Sequence, residues 1–81
     1  MKNWKYTYNN NKIEVKNEAS KWELYINEQK VDEHKGLDFY SNLHGTLDNG
    51  EQVLVVIHSE LTSVICDLYI VKSKLYKMIY N

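Results

Sequence analysis

Apolar and polar residues alternate along this chain with a period close to two, and that rhythm confines it to β-structure more tightly than any other feature. Trp4, Tyr6 and Tyr8 alternate with Lys5 and Thr7. Ile13 and Val15 alternate with Lys12, Glu14 and Lys16, and Trp22, Leu24 and Ile26 with Glu23, Tyr25 and Asn27. Val53, Val55 and Ile57 follow, then Val64, Cys66, Leu68 and Ile70, then Leu75 and Ile79. Successive side chains of a strand point to opposite faces, so each run places one set in a core and the other toward water. The richness in Val, Ile, Tyr and Trp suits a pleated, half-buried surface.

Turn residues divide the runs. Asn9-Asn10-Asn11 joins the first two strands, since Asn tolerates left-handed backbone. Asp48-Asn49-Gly50 is the strongest hairpin signal. Asn27-Glu28-Gln29 and Lys72-Ser73 are weaker turns, and Gly45 and Gly50 read as turn glycines. Strands are expected at roughly 3–8, 12–17, 22–27, 30–34, 45–48, 52–58, 63–71 and 74–80, with His34 to His44 as the longest irregular connection. Only Glu33 to Asn42 has room for a helical turn, and it lacks capping residues. Evenly spaced strands with short turns point to a small all-β, eight-stranded antiparallel β-sandwich in a single domain, 1–81.

The chain also resembles itself. Glu23-Leu24-Tyr25-Ile26 is echoed by Asp67-Leu68-Tyr69-Ile70, and Lys30-Val31 by Lys74-Leu75. Lys12-Ile13-Glu14-Val15 is echoed by Gln52-Val53-Leu54-Val55. The first offset, Leu24 to Leu68, is 44 residues, and the second, Val15 to Val55, is 40. A longer loop between Ile57 and Val64 accounts for the difference. Two pseudo-repeated four-strand units, about 3–34 and 45–80, are therefore expected, each supplying the apolar face that the other needs.

Several motifs carry a wider resemblance: Trp4-x-Tyr6, Lys12-Ile13-Glu14-Val15-Lys16-Asn17, Glu23-Leu24-Tyr25-Ile26-Asn27, Gly45-x-Leu47-x-Asn49-Gly50-Glu51 and Cys66-x-Leu68-Tyr69-Ile70. The pattern resembles a family of small uncharacterised bacterial β-sandwich proteins. More remotely it is similar to the β-sandwich domains of Fas apoptotic inhibitory molecule. The resemblance implies a non-enzymatic eight-stranded sandwich and transfers no functional residue. It departs from the expected glycine turn after each Tyr-Ile strand, where Asn27-Glu28-Gln29 and Val71-Lys72-Ser73 stand instead.

Charge and composition argue against several functions. The formal net charge is −1 and all 10 cations are lysine, so neither a strong field nor a bidentate guanidinium is present to recognise nucleic acid. The longest apolar run, Val53 to Ile57, is too short to cross a bilayer. The single cysteine, Cys66, precludes an intrachain disulfide, and the N-terminal residues lack a signal-peptide core; both suit the cytoplasm.

No catalytic motif stands out. Cys66 shares the apolar parity of Val64 and Leu68, as a core thiol does. His58 and Ser59 are adjacent, and neighbours on a strand point apart. Glu14, Glu23 and Asp67 read as a solvated sheet face paired with Lys5 or Lys16. A metal would have to draw on His34, His44, His58, Cys66, Asp32 and Glu33, which lack ligand-pair spacing.

The functional lead lies in tyrosines of outward parity: Tyr25, Tyr69, Tyr76 and Tyr80. A cytoplasmic binding or protein-interaction module without catalysis or cofactor follows. Its partner is expected to be a protein, met through a sheet edge or the tyrosine face, with the chain itself a monomer or weak homodimer. Alternatives are a carbohydrate-binding module using the outward tyrosines, a structural accessory subunit, or a small enzyme or metal protein centred on the histidines.

Overall fold

The computed structural model describes residues 2–18, 20–36, 40–60, 62–72 and 75–80, with side chains described for those between 3 and 71. The protein is all-β, and the described residues include no helix. Its strands are β1 (Lys2–Tyr8), β2 (Asn11–Glu18), β3 (Lys21–Ile26), β4 (Gln29–Lys35), β5 (Tyr40–Thr46), β6 (Gln52–Ser59), β7 (Val64–Lys72) and β8 (Leu75–Tyr80). They form two antiparallel sheets, in the orders β1-β2-β3-β4 and β5-β6-β7-β8.

One expectation fails at β5. The strand runs from Tyr40 to Thr46, where an irregular connection to His44 and a strand at 45–48 were expected. Most of the stretch proposed for a helical turn is thus extended. The reason lies in β5's core-facing residues, Ser41, Leu43 and Gly45, only one of which is a large apolar side chain. Gly45 is not a turn residue. A Cβ there would lie 2.6 Å from Ile26 Cδ1 and 3.1 Å from Val31 Cγ2, so the missing side chain lets β5 approach β3 and β4 closely.

Turn chemistry follows the backbone. Asn9 and Asn10 have φ of 47° and 63°, and Asn27 and Glu28 have 50° and 72°. Two-residue hairpins with both central φ positive match the right-handed twist of their strands. Asn27 also ties its turn to β2. Its amide oxygen accepts the Lys12 N–H at 2.9 Å, and its Nδ2 donates to Asn11 Oδ1 at 2.9 Å.

The alternating apolar residues of both sheets meet in a single buried cluster. Ile13, Val15, Trp22, Leu24 and Ile26 enter it from the first sheet, and Leu43, Val53, Val55, Ile57, Cys66, Leu68 and Ile70 from the second. Trp4, Tyr6 and Tyr8 pack against its margin, with the Trp4 and Trp22 rings 5.6 Å apart. Polar bonds also link the two halves of the chain. The Tyr6 hydroxyl donates to the Cys66 carbonyl at 3.4 Å, and the Tyr8 hydroxyl to Glu51 Oε2 at 2.9 Å. On the opposite margin, Asp32 Oδ2 accepts the backbone N–H of His44 at 2.7 Å.

The two sheets share a register. Val15 pairs with Leu24 and Ile13 with Ile26; Val55 pairs with Leu68 and Val53 with Ile70. A register shift falls between Leu24 and Tyr25 on the β3–β4 side, and another between Leu68 and Tyr69 on the β7–β8 side. In the echo of Lys30-Val31 by Lys74-Leu75, Lys74 lies outside the described residues, and the registers on either side differ. Lys30 stands opposite Tyr25, whereas Met78 stands opposite Tyr69, because the β7–β8 pairing runs on to Lys72 and Leu75.

Candidate functional site

The two sheets differ in what they turn away from the core. On the first, the outward row Lys5, Glu14, Tyr25 is flanked by Lys12, Lys16, Glu23 and Glu33. Glu23 is a surprise. It was expected in solvent beside Lys16, yet it is buried, with only 7% of its surface exposed. A buried carboxylate needs compensation. Lys30 and Lys21 reach its Oε2 at 3.4 and 3.7 Å. Lys30 also donates to Glu33 at 3.1 Å, which holds the Glu33 carboxyl below its usual range and raises the Lys30 ammonium above its own. Lys16 turns elsewhere, placing its ammonium 4.5 Å from the centre of the Tyr25 ring.

On β6 and β7 of the second sheet the outward positions are largely apolar. Leu54 and Val56 on β6, and Ile65, Tyr69 and Val71 on β7, alternate with core-facing residues of the same strands and are all half-buried. In register, Leu54 stands beside Tyr69, Val56 beside Asp67 and His58 beside Ile65. His44, Asn42 and Tyr40 of β5 continue these rows. At one end, Tyr40 is 68% exposed and stacks on the His58 ring at 5.4 Å, with His58 Nε2 3.4 Å from Asp67 Oδ2. At the other end, an open groove of about 590 Å³ is lined by His44, Thr46, Gln52, Leu54 and Val71, with Val31 at its rim.

Of the expected tyrosines, Tyr25 and Tyr69 do not share a surface. Tyr25 and Tyr69 hold corresponding places, beside Glu14 and Leu54 respectively, but on different sheets. The side chains of Tyr76 and Tyr80 lie outside the described residues. Outward tyrosine parity singles out Tyr69 but not the apolar residues around it. Their signal was present in the run Val53-Leu54-Val55-Val56-Ile57, where both parities are apolar. Such a run marks a strand covered on both faces.

No family model, curated protein or solved structure matches this chain. The site must therefore be read from its own chemistry. Among the described residues, no three metal-ligating side chains come together, and no helix is long and apolar enough to cross a membrane. The Asp67–His58 pair has Tyr40 stacked on it and runs along the rim of the apolar face. Cys66 is buried on the core side, where burial pushes its thiol up to about 11, far from a reactive thiolate at neutral pH.

Proposed function

We propose that this chain is a non-catalytic protein-interaction module, a sandwich of two related four-strand units, that binds through the outward face of its second sheet. The sandwich reading is supported by the shared core and by hydrogen bonds that link the two halves of the chain. The duplication reading is supported by the matching registers and by the register shift after Leu24 and after Leu68. The hairpin lengths agree with it. Four residues separate the paired Asn17 and Trp22, and eight separate the paired Ile57 and Cys66, which supplies the change in offset between the echoes.

The observation that carries the functional reading is the doubly apolar character of β6 and β7. Val53, Val55 and Ile57 already fill the core, yet Leu54, Val56, Ile65 and Val71 on the other side are apolar too. A sheet that needed only one covered face would alternate with polar residues, as β2 does. The apolar face with aromatic residues at its margin has the make-up of a protein contact. The carbohydrate reading draws less support, because Tyr25 and Tyr69 do not share a surface and the Tyr25 ring is already engaged by Lys16. A lone buried thiol suits a reducing, cytoplasmic setting.

Site-specific photo-crosslinking tests this. A photoreactive side chain at position 56 is expected to trap protein adducts in the native host, and one at position 14 is not. Equal labelling at both positions, or none at 56, would overturn the assignment.

A further inference from the structure

Resting on that reading, we infer that the partner on the outward face of β5–β7 is a second copy of this chain, related by a twofold axis. Three features select it. The first is charge. Among the described outward side chains of β5, β6 and β7, Asp67 is the only carboxylate and no lysine is present. Such a face has no charge pattern with which to choose a charged partner, and it does not repel its own image. The first sheet, with Lys5, Lys12, Glu14 and Lys16 outward, is unsuited to the same use.

The second feature is shape. Apolar rows on a pleated sheet interdigitate with the rows of a facing sheet at about 10 Å. The rows Leu54–Tyr69 and Val56–Asp67 offer a twofold mate the same ridges, and an isologous contact needs a patch that complements itself.

The third feature is area. Three strands at ~4.8 Å spacing and about six residues at ~3.4 Å give a face of roughly 14 by 20 Å, or about 290 Å² in projection. Side-chain relief raises the accessible area above that figure, still short of the ~800 Å² per partner of a standard interface. The contact therefore belongs at the weak end of the range.

Sedimentation equilibrium of the purified chain between about 2 and 500 μM tests the inference. The weight-average mass is expected to rise from the 9.6 kDa monomer toward twice that value. Leu54→Lys and Val56→Lys are each expected to weaken association at least tenfold, and Glu14→Lys on the other sheet to leave it unchanged. Circular dichroism of each variant confirms that it is folded. A second measurement needs no substitution: on dilution, amide resonances of 54, 56, 65 and 69 should shift while those of 5, 14 and 25 stay fixed.

A mass fixed at 9.6 kDa across the range would overturn self-association. If position 56 still crosslinks to another protein in the host, the interaction-face reading stands without it. If the mass rises but only Glu14→Lys lowers it, the copies meet through the first sheet, and the inference fails.

Discussion

Raising the pH from 8 to 11 is expected to cost this protein at least about 2 kcal/mol of stability through Cys66 alone. The thiol is buried, and burial is the main reason that its proton is held to about 11 against an ordinary value of 9.0. Below pH 9 the thiol is neutral in both states and contributes nothing to the pH dependence. Between 9 and 11 the unfolded chain releases its proton and the folded chain keeps it. The unfolded state then binds fewer protons, so stability falls as pH rises. At pH 11 the unfolded thiol is almost wholly ionised and the folded one about half, a difference of about 2 kcal/mol.

Tyr6 adds to this. Burial raises its phenol above the ordinary 10.0, with the neighbouring Cys66 adding to the effect, so its share is likewise lost on the alkaline side. Urea denaturation followed by tryptophan fluorescence at pH 8, 9.5 and 11 measures the loss. Cys66→Ala is expected to shrink the difference between pH 8 and pH 11 by about 2 kcal/mol, whatever it costs at pH 8. Tyr6→Phe should remove a further part. Lysine deprotonation affects all three proteins alike and cancels in the comparison. If Cys66→Ala loses as much stability as the parent between pH 8 and 11, the thiol is not held protonated by its surroundings and the reasoning is wrong.

Three other substitutions test the fold. Trp22→Ala is expected to cost about 3–5 kcal/mol and Tyr25→Ala about 1 kcal/mol or less, since only the first fills the core; a larger loss at Tyr25 in chemical denaturation would invert the faces. Glu28→Gly should stabilise by about 0.5–1 kcal/mol, seen as a higher melting temperature, because Glu28 holds φ at 72° where a side chain is strained. Gly45→Val should cost about 1–3 kcal/mol, because Ile26 and Val31 occupy the space that its side chain would need.

The core was legible because its signal is additive. Ile13, Val15, Trp22, Leu24, Ile26, Val53, Val55, Ile57, Cys66, Leu68 and Ile70 each fall on the buried parity, and all are buried. β5 was illegible because Leu43 is its one large apolar core residue and Gly45 serves by having no side chain, which alternation cannot register. The register shift sets Asp32 opposite Leu24 and Lys30 opposite Tyr25, and Val31 between them is 43% exposed. Glu23 was misread because parity reports the face a residue is on and not what lies over it; Lys21 and Lys30 cover it. The candidate face was in view throughout. A run apolar at both parities was read only for the half that fills the core, so Tyr69 was picked out and its apolar neighbours were not.

The carboxylate of Asp32 has a consequence for how this molecule avoids growing sideways. Sheets with bare margins tend to recruit further strands, and sequences commonly guard them with proline, of which this chain has none. At the β5 margin the His44 donor that a newcomer would have to claim is already occupied by an internal acceptor. A neighbouring chain must first evict a charged group from a 2.7 Å bond before it can begin to zip on, so one acidic side chain acts as a stopper against polymerisation at that border.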